Sequence, residues 1–286
     1  LAVIGFSFGA MPAALLAMHN SDIDALVSLD GVMGNRFGYS VLFQNPLYEP
    51  AKLTAPVLHL TTAETTPDTD WKFFQSLPYS NVHTLKFKGM TATDFSTFGM
   101  IAPIIPKFAG SPQTTSEGHE TACLYVLSFL DAQVKKDAKA QAFLKNKPEQ
   151  NGIRADLVTV ELRAGFPVPP SESEFVKIVR GKGVSEAKSI YEQVHKNDPD
   201  YDLFEPESLI EITQEYIRDK KAKEAIEVQK LNVVAFPDFW LVYDVLGQAY
   251  VADGNNQLAI ENFTHSLELN PENANAAEML KKLKKP

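Results

Sequence analysis

The stretch Leu1-Ala2-Val3-Ile4-Gly5-Phe6-Ser7-Phe8-Gly9-Ala10-Met11-Pro12-Ala13-Ala14-Leu15-Leu16-Ala17 decides how the first half of the chain is read. An apolar run of strand character ends at Gly5. A Gly-x-Ser-x-Gly turn follows, and small and apolar residues then continue as a helix. In that strand–turn–helix order a serine is lifted on a sharp turn above the end of a mostly parallel sheet. The turn is strained, and glycines beside the serine leave space that β-carbons would fill. Pro12 falls in the first turn of the expected helix, Ala10 to Asn20, where its missing N–H is harmless. The plain alternative is an ordinary glycine-containing turn between a strand and a helix.

Working outward, Asp24 to Asp30 reads as a second strand, closed by Asp30-Gly31. A carboxylate just past the C-terminal end of a parallel strand stands where such sheets bind ligands. Taken alone, Asp30 also reads as a turn or helix-cap aspartate. Residues 32 to 54 are rich in Gly, Asn and aromatics without clear periodicity, and are expected to form a substrate-covering loop or plain surface. Pro56 to Thr61 is a third buried strand, followed by a loop carrying Glu64, Asp68 and Asp70, in which Glu64 is a second candidate acid. Trp71 to Leu77 reads as helix and His83 to Lys88 as a fourth strand. The next loop runs from Gly89 through Ala92 and Asp94 to Phe98.

Three features carry a resemblance: Gly5-Phe6-Ser7-Phe8-Gly9, Leu29-Asp30, and Gly89-Met90-Thr91-Ala92-Thr93-Asp94-Phe95 set against the pattern Gly-x-x-His-x-(Asn/Asp)-Phe. On these, residues 1 to about 131 resemble the C-terminal half of an α/β-hydrolase of the platelet-activating factor acetylhydrolase and dienelactone hydrolase-like branch. The resemblance implies a serine ester hydrolase acting on a small or lipid-like ester. Ser7 is then the nucleophile, Asp30 rather than Glu64 the orienting acid, and the Phe8 N–H one oxyanion donor, with no cofactor and no metal. It also places the histidine slot on Ala92. Serine needs an imidazole to take its proton, and alanine cannot do so. Of the other histidines, His59 and His83 lie in strands, where structural roles are commoner. His19 reads as surface, and His119 is the one placed to swing back. The chain therefore reads either as an esterase-like member of this family or as a catalytically dead hydrolase scaffold. The resemblance further implies strands before the one carrying Ser7. A chain opening at Leu1 is thus expected to be a fragment of a longer protein, with Leu1 to Ile4 as an apolar sheet edge.

Composition narrows the classes. The 286 residues are 44% hydrophobic and 22% charged, as in ordinary globular protein, and their number suggests two domains. A net charge of −9 argues against a nucleic-acid surface and against docking on anionic lipid. Cys123 is the only cysteine, which leaves no intrachain disulfide and no thiolate metal cluster. No run approaches the length of a membrane span.

A helix over Thr121 to Asp137 is expected to close the first unit, with Lys135 to Gln150 as a charged continuation. Asp156 to Arg163 alternates like a strand but has no evident place in the sheet, and Pro167 to Pro170 marks a boundary. The expected division is therefore 1–147 for an α/β half-sheet of mostly parallel strands with flanking helices, 148–170 for a linker, and 171–286 for an all-α repeat domain.

In that last part an interval of 34 brings Tyr216 onto Tyr250, Ala225 onto Ala259, Ile226 onto Ile260 and Pro237 onto Pro271. Tyr243, Leu246, Gly247, Tyr250, Ala259, Phe263 and Pro271 together resemble the tetratricopeptide (TPR) consensus. An earlier pair, Ser171 to Arg180 and Val184 to Lys196, repeats Ala187, Tyr191 and Pro199 with a four-residue longer spacing. Ala274 to Lys284 reads as a polar capping helix. The resemblance implies a protein-binding groove or a self-associating appendage. The first helices are expected to offer it Glu207, Ile210, Gln214, Asp244 and Gln248, which do not suit the clamping of an anion.

Overall fold

A computed structural model describes residues 1–96 and 112–284. Contacts divide the chain into two compact units, Leu1–Val168 and Pro169–Pro286.

The first unit is built on a five-stranded sheet: β1 (Ala2–Phe6), β2 (Ala25–Leu29), β3 (Val57–Thr62), β4 (Val82–Phe87) and β5 (Val158–Arg163), paired in that order. The first four are parallel, so their C-terminal ends share one edge of the sheet. Parallel strands are buried on both faces, which explains why β2 and β3 read as near-continuous apolar runs. Helices α1 (Ala10–Met18), α2 (Arg36–Phe43) and α3 (Lys72–Gln75) cover one face, where Ala10, Ala14, Met33, Leu42, Phe73 and Phe74 pack with Leu26 and Val57. On the other face α4 (Pro112–Gln133) and α5 (Ala138–Lys145) bring Tyr125, Phe129 and Leu144 onto Val27, Leu58, Leu60 and Leu85. Successive strand residues thus serve opposite cores, the period-2 consequence of strand geometry.

Three expectations change here. The segment 148–170 is not simply a linker: Val158–Arg163 adds to β4 antiparallel, from Val82 opposite Arg163 to Phe87 opposite Val158. Its alternation is that of an edge strand with one wet face, and Leu162 is left 58% exposed. Residues 32–54 are not an unpatterned loop but contain α2, whose N-cap Asn35 accepts from the Gly38 N–H at 2.8 Å. The closing helix begins at Pro112 rather than Thr121 and ends at Gln133. Among the described residues β1 pairs only with β2, and Ile4 on it is 50% exposed. Of the loop from Gly89 to Phe98, Thr97 and Phe98 lie outside the described residues.

The second unit is a stack of helices: α6 (Glu172–Lys182), α7 (Val184–Asn197), α8 (Pro206–Arg218), α9 (Ala222–Ala235), α10 (Trp240–Ala252), α11 (Asn256–Leu269) and α12 (Ala274–Leu283). α8 maps onto α10 and α9 onto α11 with both bounds displaced by 34 residues, the interval found in the sequence. The extra length in the first pair lies in the connection 198–205 before α8, against 236–239 before α10. Small residues set the crossings. Ala225 and Ala259 are fully buried, and a β-carbon on Gly247 would sit 2.8 Å from the Phe263 ring. One hydrogen bond recurs at the same interval: Asn232 donates to the Pro206 carbonyl at 2.8 Å, and Ser266 to the Trp240 carbonyl at 2.9 Å. These stacked hairpins have the period and small-residue crossings of TPR-type repeats.

Candidate functional site

β1 delivers the chain into a 3-10 turn, Ser7–Gly9, and α1 starts at once. Ser7 is held at φ 50°, in the left-handed region that L residues rarely enter. Gly5 makes the turn sterically feasible: a β-carbon there would lie 2.4 Å from the Ala10 Cα and 2.6 Å from the Gly9 oxygen. Gly9 does not play the matching part. Its φ is −64° and a β-carbon on it would meet open space, so the expectation that both glycines are sterically required holds for Gly5 alone.

Asp30 also has a left-handed backbone, at φ 42°. Ser7 and Asp30 line one cavity of about 170 Å³, together with Gly31, Asn35, Thr61, Glu64 and Lys86 among others. Two strained residues facing one cavity at the C-terminal edge of a parallel sheet mark a candidate functional site. Burial pushes the Asp30 carboxyl above its ordinary range, opposed by the Thr61 hydroxyl at 3.4 Å and the Thr62 N–H. Among the described residues no cation or imidazole is paired with Asp30. The rival acid, Glu64, is exposed and, among the described residues, accepts a long 3.4 Å bond from the Gly89 N–H. Lys86 is engaged at 2.7 and 2.9 Å by Glu161 from β5. Phe8, the expected oxyanion residue, leaves its ring 59% exposed against Phe37 at 6.0 Å.

Ala92 opens a 3-10 turn, Ala92–Phe95, just beyond β4 and is exposed. All six histidines are among the described residues. His59 is completely buried: its Nδ1 lies 3.0 Å from the Ser28 hydroxyl and its ring packs 4.4 Å from Phe74. Burial lowers its pKa to about 3, so its ring is neutral. His83 is pushed down by burial as well and packs against Phe129. His19 sits 2.8 Å from the Leu47 carbonyl. His119 is tied through Nδ1 to the Asp94 carbonyl at 2.9 Å, with the Cys123 sulfur 3.6 Å from Nε2. None of these four lines the cavity of Ser7. His195 and His265 belong to the second unit, where they meet the Tyr191 carbonyl and Glu268.

Sequence reasoning overlooked one wall of the site. Asn35 lines it, yet the segment after Asn35 showed too little periodicity to be read as helix. The available signal was the spacing of Arg36, Tyr39, Ser40 and Phe43, one stripe of a short helix. In the second unit two residues expected on a groove are interior. Ile210 is 7% exposed and Asp244 2%. Asp244 accepts from Asn273 at 2.9 Å, from Asn275 at 3.0 and 2.9 Å, and from Gln248 at 2.7 Å. Glu207 and Gln214 are exposed. Among the described residues no group of three or more His, Cys, Asp or Glu side chains is placed to hold a metal ion, and no helix is long and apolar enough to cross a membrane.

No protein family and no curated protein matches the chain. Solved structures with some likeness include the Arabidopsis OM64 TPR domain, at 17% identity over 40% of this chain and 90% of that one, with a TM-score of 0.28. The first TPR of Spaghetti (RPAP3) bound to the HSP90 peptide SRMEEVD has 24% identity over 39% and 86%, with a TM-score of 0.28. MamA from Desulfovibrio magneticus RS-1 has 19% identity over 56% and 81%, with a TM-score of 0.27.

Proposed function

We propose that this chain is a protein-interaction scaffold: a hydrolase-like unit without a working triad, joined to TPR-type repeats that dock a protein partner or a second copy. The observation that carries the reading is the histidine slot. Ala92 stands at the end of β4 where the resemblance asks for an imidazole, and none of the four histidines in this unit lines the cavity of Ser7 and Asp30. Without a base, a serine hydroxyl at neutral pH has negligible alkoxide, and a broken triad retains only what binding and oxyanion donors supply. Stacked repeats, in turn, present extended surfaces suited to protein docking. With Glu207 and Gln214 as exposed side chains on α8 and Asp244 internally consumed, that docking does not clamp a terminal carboxylate.

A fluorophosphonate serine probe tests the catalytic half. Wild type and Ser7→Ala are expected to label equally weakly, with labelling appearing in Ala92→His. Strong wild-type labelling that Ser7→Ala abolishes would overturn the reading. The docking half is tested with photocrosslinking residues at Gln214 and Glu261 in the full chain, with Lys139 as the comparison position. Discrete protein adducts from the first two are expected, and their absence contradicts a scaffold role.

The second reading, an esterase-like hydrolase using Ser7 and Asp30, draws on one observation. The two non-glycine residues at φ 50° and 42° meet in one cavity, and such strain is retained where function asks for it.

A further inference from the structure

Next to the cavity of Ser7 lies a wide cavity open to solvent, of about 680 Å³, which shares Thr69 and Trp71 with it. One wall is the stripe Arg36, Tyr39, Ser40 and Phe43 of α2, residues spaced three and four apart on a single helix face. The facing wall is Thr69 to Lys72 with Gln75 from α3. The two walls are tied at their base. The Arg36 N–H donates to the Asp68 carbonyl at 2.8 Å and the Asp70 N–H to the Gly34 carbonyl at 2.9 Å, on either side of a bridge between Asn35 and Thr69. α2 itself is pressed onto the preceding turn so closely that a β-carbon on Gly38 would be 2.0 Å from the Val32 oxygen. The cavity therefore stands between two braced walls.

Its charge is unlike that of the molecule. The chain carries −9, yet the charged side chains lining this cavity are Arg36, Lys72 and Asp70, one positive charge in excess. Asp70 accepts the Lys72 N–H at 2.9 Å and forms an ion pair with the Lys72 ammonium at 3.7 Å, which leaves Arg36 as the charge in excess. Lys72 also lies 5.9 Å from the centre of the Tyr39 ring. Among the described residues Arg36 has no ion-pair partner, whereas Arg154 is paired with Glu117 and Asp156, and Arg163 donates to the Leu77 and Ser80 carbonyls. An unpaired guanidinium presents a planar fork of donors suited to two oxygens of one anion. Tyr39, Phe43 and Trp71 supply aromatic surface for an apolar body.

We infer that this cavity binds a small organic anion, a carboxylate or phosphate monoester with an aromatic or acyl body. Arg36 grips the anionic group, Lys72 adds charge, and the body lies on Tyr39, Phe43 and Trp71. The site needs no turnover at Ser7, so it stands or falls separately from the reading of the triad.

The test uses the full chain carrying Trp240→Phe, so that Trp71 is the remaining tryptophan and reports by fluorescence. The probes are 4-phenylbutyrate, phenyl phosphate and the neutral 4-phenylbutanamide. At least one of the two anions is expected to bind saturably, and which one does identifies the head group. The amide is expected to bind about tenfold or more weakly, the worth of a charge-assisted hydrogen bond. Arg36→Gln should weaken anion binding by a similar factor, and rising salt should weaken it further. Lys139→Gln, an exposed charge that does not line the cavity, should change nothing. Failure of both anions to saturate, an amide as tight as the anions, or an Arg36→Gln variant that binds like the parent would each overturn the assignment.

Discussion

Replacing Gly5 by alanine would place a β-carbon 2.4 Å from the Ala10 Cα, 2.6 Å from the Gly9 oxygen and 2.7 Å from the Ala10 nitrogen. All three are backbone atoms of the turn that carries Ser7 or of the helix that follows, so no side-chain rotation relieves the clash. Overpacking of this kind costs about 1–3 kcal/mol, and with rigid neighbours the expectation is the upper end, ~3 kcal/mol. With a urea m-value of ~2 kcal/mol per molar, the midpoint should fall by roughly 1.5 M. Gly9→Ala is the internal control. Its φ of −64° suits alanine, and the added carbon meets open space. That variant should stay within about 0.5 kcal/mol of wild type or gain up to about 1 kcal/mol from a stiffer unfolded chain. The assay is urea unfolding followed by Trp71 fluorescence in a Trp240→Phe background, which reads the sheet unit. Equal midpoint shifts for the two alanines, or a Gly5→Ala variant within error of wild type, would refute the steric account of the turn.

Further predictions concern strain, protonation and the repeat interior. Ser7→Gly should stabilise the sheet unit by about 1 kcal/mol by removing the cost of a left-handed L residue, while Ser7→Ala should not, in the same urea assay. His59 is neutral in the fold with a pKa of about 3 against an unfolded value near 6.5. The unfolded chain therefore binds a proton that the fold refuses, and stability is lost as pH falls below 6.5, levelling off only near 3. Between pH 6.5 and 5 the loss should be about 1.6 kcal/mol, and His59→Gln should flatten that limb relative to wild type in pH-resolved urea titrations. Asp244→Ala strips the acceptor from Asn273, Asn275 and Gln248. Its cost should be about 1–2 kcal/mol, read by Trp240 fluorescence in a Trp71→Phe background, because the buried Asn273 amide loses one of its two acceptors and keeps Ser266, while Asn275 is exposed and Gln248 half-buried.

How much was legible depended on the range of the signal. The turn at Ser7 was readable because strand, Gly5 and helix are contiguous, and the repeats because Tyr, Ala and Pro recur at 34 residues, the displacement later seen in the helix bounds. The helix at Arg36–Phe43 escaped because it is barely two turns long, and its stripe of Arg, Tyr, Ser and Phe is not an apolar pattern. Val158–Arg163 had strand alternation, but nothing local says that it pairs with Val82–Phe87 more than seventy residues earlier. Gly9 was misjudged for the same reason, since the space around a glycine is a property of neighbours that a motif does not name.

By itself the sequence determined the strand–turn–helix that strains Ser7 and the 34-residue helical period of the second unit. These are consequences of local sterics and of side-chain spacing along one segment. Tertiary structure alone decided that Asp30 shares a cavity with Ser7, that His59 is sealed in the core, that Asp244 is spent inside the repeats, and that Arg36 stands beside aromatic walls. Each of those depends on which distant segments meet. Pairing across the sheet and packing between helices create burial and charge environments that no stretch of chain carries on its own.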